Sequence, residues 1–290
     1  MTGGLGIDIG TSSISSIIVK GGEEKSLTLK NDSSLKGEPW EDVQDPGRIM
    51  ELVRQILDYS LGNDPGSIGF SGQMHGILYY DRDGKAVSPL YTWQDGRGDL
   101  PFRNGLSYAD WLSEVTGFRL ATGFGAVTHF YNVVNGLVPP SAVGLCTIMD
   151  YAAMNLGGAV KPLIDPSNAA SIGLYDVAAC RFDPDALRKA GLDPGFFPGV
   201  SGCLPVVGSF RGAPVVAAVG DNQAGFIGSV PSPLNSVLVT VGTSSQISVW
   251  TDKYSSIPGI ETRPLPGGGF IMVGAALCGG SSLALLNGFL

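Results

Sequence analysis

The 290-residue chain is 43% apolar and 15% charged, with a formal net charge of −8 and no basic run, which excludes a nucleic-acid partner held by phosphate neutralisation. No apolar stretch approaches the ~20 residues of a membrane span and no signal-peptide pattern opens the chain, so the cytoplasm is the expected compartment and no membrane partner is expected. Cys146, Cys180, Cys203 and Cys278 are scattered without a C-x-x-C pair, and with only His75 and His129 as histidines a structural zinc site is disfavoured against buried thiols.

In chain order, residues 5–9, 15–20 and 25–30 read as three short strands separated by glycine and serine turns. Ile49, Leu52, Val53, Ile56, Leu57 and Leu61 share one helical face over 46–61, with Asp45 as N-cap and Pro46 at the first helical position. A strand at 67–71 ends in Gly72, and strands at 77–80 and 86–87 flank the turn Asp81-Arg82-Asp83-Gly84. A helix starts at Ser107, with Asp110 at capping-box distance and Trp111, Leu112 and Val115 facing in. Helices around 150–156 and 183–190 follow, then a buried strand at 214–219 that ends at Gly220-Asp221. The strand hairpin pattern restarts at Ser236, with about three strands over 236–250 and 270–275. Gly279-Gly280-Ser281-Ser282-Leu283 reads as a helix just beginning. Hairpins followed by alternating helices and strands predict an α/β architecture on a mixed sheet. The predicted lobes are 1–231 and 232–290, the second only begun.

The tetrapeptide Gly-Thr-Ser-Ser occurs twice after an apolar strand, as Gly10-Thr11-Ser12-Ser13 and Gly242-Thr243-Ser244-Ser245. Such a turn aims backbone N–H and hydroxyl groups at an anion, because glycine permits close approach. One copy alone is equally a plain hairpin turn; the pair points to a duplicated fold that grips a polyphosphate from two sides. Asp8, just upstream, is placed to hold Mg²⁺ beside such a group, or to cap local amides. Asp221 reads two ways: a general base whose pKa burial at a strand end would raise, or the N-cap of a helix from Gln223. His75 lies between glycines in Ser71-Gly72-Gln73-Met74-His75-Gly76, where it and Gln73 suit polyol hydroxyls; a packed or surface histidine is the alternative. Trp93 in Thr92-Trp93-Gln94-Asp95-Gly96-Arg97 suits the carbon–hydrogen face of a sugar, with Asp95 and Arg97 binding hydroxyls or each other. The competing reading is a core tryptophan beside a surface ion pair.

These segments together resemble the FGGY carbohydrate kinases of the actin/hexokinase superfamily. Residues 6–12 match that family's first phosphate motif, 71–76 the sugar segment of its ketose-specific branch, 93–97 the next sugar segment, 220–224 the catalytic aspartate, and 242–244 the second phosphate motif. The resemblance implies a ribonuclease H-like (actin/hexokinase-type) mixed-sheet lobe and phosphoryl transfer from ATP, with Mg²⁺, to a terminal hydroxyl of a ketose. Within the family, Tyr91 to Arg97, Ala121-Thr122-Gly123-Phe124-Gly125 and Asn168-Ala169-Ala170-Ser171 lean towards sedoheptulose over xylulose or ribulose. By the same resemblance Asp221 takes the hydroxyl proton, Asp8 and Asp221 hold the metal, and Gly10, Thr11, Ser12, Ser13, Gly242, Thr243 and Ser244 grip phosphates. Gln73, Met74, His75, Trp93, Asp95, Phe124, Asn168 and Asn222 line the sugar. The family's adenosine motif has no counterpart in the sequence, so little kinase activity from the chain alone is expected, and strand edges left open in the second lobe favour self-association. A non-catalytic sugar-binding descendant is the rival reading, and an actin-like ATPase a distant third.

Overall fold

The computed structural model describes residues 3–60, 66–202, 204–241 and 245–276. Gly242, Thr243 and Ser244, the expected helix at 279–283, Cys203 and Cys278 lie outside the described residues. The chain divides into two compact units, Met1–Asp221 and Asn222–Leu290, earlier than the 231/232 boundary expected. The reason is packing: Phe226 and Val230 share a core with Ile271 and Val273 of the later segment.

The first unit is built on a seven-stranded mixed sheet. Strands β1 (Gly4–Ile9), β2 (Ser13–Lys20) and β3 (Glu23–Lys30) form an antiparallel meander. Alternation decides its buried face: Leu5, Ile7 and Ile9 on β1 oppose Ile18, Ser16 and Ile14 on β2, all buried. Helix α1 (Pro46–Ser60) lays Ile49, Leu52, Val53 and Ile56 into the same cluster. Asp45 caps it as the sequence predicts, its Oδ1 accepting from Gly47 N at 2.8 Å. Strand β4 (Ile68–Gly72) lies parallel to β1 at the sheet centre.

Beyond β4, α2 (Tyr108–Thr116), α3 (Gly125–Val134), α5 (Pro166–Ile172) and α6 (Pro184–Lys189) form a second, mainly helical cluster, while α4 (Ile148–Gly157) packs on the sheet. Ser107 caps α2 as predicted: its Oγ accepts from Asp110 N at 3.1 Å and donates to Asp110 Oδ2 at 2.7 Å. Ser107→Ala is therefore expected to lower stability by about 1 kcal/mol, read from the midpoint of urea unfolding. A change within error of zero would mean that water replaces the cap.

The chain then returns to the sheet through β5 (Val206–Phe210), β6 (Ala213–Val216) and β7 (Val219–Gly220), giving the order β5-β6-β4-β1-β2-β3 with β7 also paired to β4. The single strand predicted at 214–219 is thus two: the β5 ladder runs on to the Ala217 N–H, which donates to Pro205 O at 2.9 Å, and Val219 and Gly220 then pair with β4. Helix α7 (Asp221–Ser229) follows. In the second unit, β8 (Val237–Val241), β9 (Ser245–Thr251), β10 (Glu261–Pro264) and β11 (Phe270–Ala276) make an antiparallel sheet in the order β8-β9-β11-β10, one strand more than the sequence suggested. Among the described residues no helix is long and apolar enough to cross a membrane.

Candidate active site

Three parallel strands define the site. On one side of β4, Asp8 lies opposite Ser71 and Ile9 opposite Gly72; on the other, Val219 lies opposite Ser71 and Gly220 opposite Gly72. With strands ~4.8 Å apart, the Cα atoms of Ile9 and Gly220 are roughly 10 Å from each other, and the residues that follow leave the sheet at one level. Open α/β sheets bind ligands outside these carboxyl ends. Glycine is required at the middle end: Gly72 has φ +155°, and a Cβ there would lie 2.3 Å from Ile9 O.

Asp8 is half-buried, and its Oδ1 accepts from Ser71 Oγ at 2.7 Å. Asp221 opens α7 as its first residue and is exposed, so it neither caps a helix from Gln223 nor has the burial expected of it. Asn222 is half-buried at the start of the second unit. Among the described residues no group of three or more His, Cys, Asp or Glu side chains could hold a metal ion. The two carboxylates, at strand ends on either side of β4, are of the kind that suits Mg²⁺, a hard ion that keeps several waters and binds phosphate oxygens beside one or two carboxylates.

In the first Gly-Thr-Ser-Ser turn, Gly10 N donates to Ser13 O at 3.0 Å, which closes the hairpin and removes that N–H from any anion. Asn31 braces the turn from β3's end, its Nδ2 donating to Gly10 O at 3.0 Å and its N to Ser12 O at 2.9 Å. Ser12 is exposed, while Thr11 and Ser13 are half-buried. Thr11 is committed elsewhere: its Oγ1 accepts from Trp93 Nε1 at 3.0 Å and donates to Gln73 Oε1 at 3.4 Å.

The two segments expected to line the sugar are joined through Thr11, whose hydroxyl bonds both Gln73 and Trp93. Gln73 and Met74 follow β4 and are buried, 4% exposed each. His75 adopts φ +71°, a left-handed conformation uncommon for a residue with a side chain. Its ring stacks on Phe124 at 4.5 Å, and its Nδ1 lies 2.8 Å from Ser171 O. A carbonyl only accepts, so Nδ1 carries a proton and donates it to Ser171 O. Trp93 is 46% exposed, whereas Asp95 and Arg97 are fully buried. This inverts the alternative of a core tryptophan beside a surface ion pair.

Two expected sugar ligands face into the protein. Asp95 Oδ1 accepts from Arg97 Nε at 2.6 Å and Arg97 N at 3.1 Å, and Oδ2 from Arg97 Nη2 at 3.1 Å and Asp42 N at 3.2 Å. Asn168 is fully buried on α5, its Nδ2 donating to Asp150 Oδ1 at 3.1 Å and Ala218 O at 3.2 Å. It thereby ties α4 and α5 to the backbone just ahead of Asp221. Burial pushes the Asp150 carboxyl up to about 7, against hydrogen bonds from Thr147 and Asn168 that pull it down. Asp165, also buried, is shifted upward for the same reason.

Sequence reasoning missed Gln44, Asn31, Asp150 and Ser171, all of which hold site residues in place. The Gln44 side chain donates to Thr11 O at 2.9 Å and accepts from Gln73 Nε2 at 3.0 Å. Its one local signal is a polar residue directly before the Asp45-Pro46 helix start, which says nothing of a partner 33 residues upstream.

Comparison with known proteins bears on these strand ends. The family model described as the FGGY family of carbohydrate kinases, N-terminal domain, matches residues 4–228. Sedoheptulokinase of Mus musculus is 30% identical over 286 residues, covering 84% of this chain and 58% of that protein. Xylulose kinase of Staphylococcus xylosus is 26% identical over 269 residues, covering 83% of this chain and 53% of that protein. The chain therefore spans between half and three fifths of the length of these relatives. The crystal structure of Plasmodium falciparum glycerol kinase with ADP superposes with a TM-score of 0.81 at 19% identity, covering 100% of this chain and 64% of that one.

Proposed function

The chain belongs to the FGGY family of carbohydrate kinases, and from that membership we propose that it carries the acceptor site of an enzyme that transfers a phosphoryl group from ATP to a terminal hydroxyl of a ketose, sedoheptulose first. The observation that supports this most is the convergence of Asp8, Gln73 and Asp221 at adjacent parallel strand ends, with His75, Phe124 and Trp93 around them. The 30% identity with a sedoheptulokinase supports the seven-carbon substrate, and xylulose is the second candidate because a xylulose kinase is nearly as similar.

In this reading Trp93 offers its exposed ring to the carbon–hydrogen face of the sugar, and Gln73 and His75 read hydroxyls. Asp221 accepts the proton of the attacking hydroxyl, assistance worth roughly 10²–10⁴-fold in rate. Ser12 and Ser13 offer their hydroxyls to phosphate oxygens. Asp8 and Asp221 would hold Mg²⁺, which when bound neutralises charge on the transferring phosphate. Met74, Asp95 and Asn168 act from behind, as packing and bracing for the groups that touch the sugar.

The test is calorimetric titration of the chain with sedoheptulose, xylulose and glycerol, each with and without MgATP. Saturable binding that favours sedoheptulose over the shorter polyols is expected. Tighter binding of xylulose would move the substrate to the second candidate, and silence with all three would sink the acceptor-site reading.

A further inference from the structure

Gln44 is 1% exposed and two residues ahead of α1, where its backbone pairs with Leu90. Its side chain closes a ring of hydrogen bonds with Thr11 and Gln73, and the direction of every bond in that ring follows from one atom. Thr11 O is a backbone carbonyl and only accepts, so the Gln44 group 2.9 Å from it is the NH₂ end. Gln44 therefore turns its carbonyl oxygen to Gln73, and the Gln73 group 3.0 Å away must be its NH₂. That leaves Gln73 Oε1 on the opposite side, where it accepts from Thr11 Oγ1 at 3.4 Å. With its proton so directed, Thr11 Oγ1 is an acceptor towards Trp93, whose Nε1–H can only donate and lies 3.0 Å away. Ring and branch are thus polarised in a single sense, from the indole N–H to the Thr11 carbonyl.

We propose that Gln44 is the positioning residue of the acceptor site, locking the amide of Gln73 with its carbonyl towards the Thr11 hydroxyl and the indole of Trp93 by its N–H, so that the site meets its ligand with an acceptor oxygen and a bare aromatic face. The consequence for ligand choice rests on the acceptor-site reading above. A ligand hydroxyl is read at Gln73 as a donor, and Trp93 contributes stacking alone because its only polar atom is taken. The ligand class is a polyol chain with a hydroxyl beside a carbon–hydrogen face.

Two variants test this. Gln44→Glu is nearly isosteric but cannot donate to Thr11 O, and Gln44→Met removes both bonds should a buried carboxylate prevent folding. The first readout is the ¹⁵N-indole resonance of Trp93, assigned by its disappearance in Trp93→Phe. The second is affinity for the ketose and for its monodeoxy analogues. The Trp93 resonance is expected to shift in any folded variant, ketose binding to weaken about tenfold, and rejection of the poorest monodeoxy analogue to relax towards unity. An unmoved resonance overturns the proposal whatever the sugars do. Equal weakening of all sugars with selectivity intact reduces Gln44 to a packing residue and also overturns it. If the wild-type chain binds no ketose, the acceptor-site reading fails while the indole shift still decides the hydrogen-bond ring.

Discussion

Arg97→Met is expected to lower the stability of the first unit by about 3–5 kcal/mol, the range for removing one partner of a buried ion pair. Arg97 and Asp95 are 1% and 0% exposed, and Nε to Oδ1 is 2.6 Å. Methionine fills most of the volume but leaves Asp95 charged, dry and holding two backbone N–H groups that do not neutralise it. The guanidinium also lies 4.1 Å from the Tyr91 ring centroid and donates to Asn132 Oδ1 at 2.6 Å. Asn132 in turn donates to Tyr79 Oη at 3.2 Å, and Tyr79 Oη lies 2.9 Å from His129 Nδ1. Burial holds the His129 imidazole down at about 4, so it is neutral at pH 7 and the single cation of this cluster is Arg97. Urea unfolding of Arg97→Met, Asp95→Asn and the double variant checks the account. The double variant should be less damaged than the sum of the singles, because each single strands the other's charge. A loss below 1 kcal/mol in Arg97→Met would show that water reaches Asp95.

The cluster also shows what the sequence could and could not reveal. Local features were legible: the α1 stripe with its Asp45 cap, the Ser107 cap of α2, and both hairpins that follow apolar strands. The strand ends at Asp8, Gln73 and Asp221 were legible too, whereas grouping these residues with His75 as one sugar site came from the family resemblance. Burial of polar side chains was not legible. Trp93 and Arg97 differ by four positions and have opposite fates, decided by Glu41 and Asn132, which lie 56 and 35 residues from Arg97. Asn168 is a sugar ligand by the family resemblance, yet its NH₂ donates to Asp150 and Ala218 inside the protein. An amide's donors and acceptors serve a backbone carbonyl as well as a hydroxyl, and only tertiary pairing chooses between them.

That pairing makes Asp150 a second large effect, this time in pH. Its carboxyl is fully buried and pushed from 3.8 to about 7, first by desolvation, with the Asp165 charge adding to it. The folded state therefore holds this proton more tightly than the unfolded chain does. The contribution is complete below pH 3.8 and is lost progressively as pH rises to about 7. At 1.36 kcal/mol per unit, the loss reaches about 4 kcal/mol in all, and about 3 kcal/mol between pH 5 and 8. Asparagine at this position does not titrate, and its oxygen can still accept from Asn168 while its NH₂ turns to Thr147. Asp150→Asn should thus gain on the wild type by about 3 kcal/mol from pH 5 to pH 8, measured as the difference between their urea unfolding free energies at each pH. Asp165 and Cys146 face the same carboxyl and are themselves shifted upward by burial, so both must be tested as the source of any slope. Asp165→Asn and Cys146→Ser, each made in the Asp150→Asn background, then read whatever slope those two groups add on their own. Parallel profiles for the wild type and Asp150→Asn would mean that Asp150 stays ionised in the fold. The bond from Asn168 would then be charge-assisted, and the strand end that presents Asp221 would be held more tightly than a neutral pair allows.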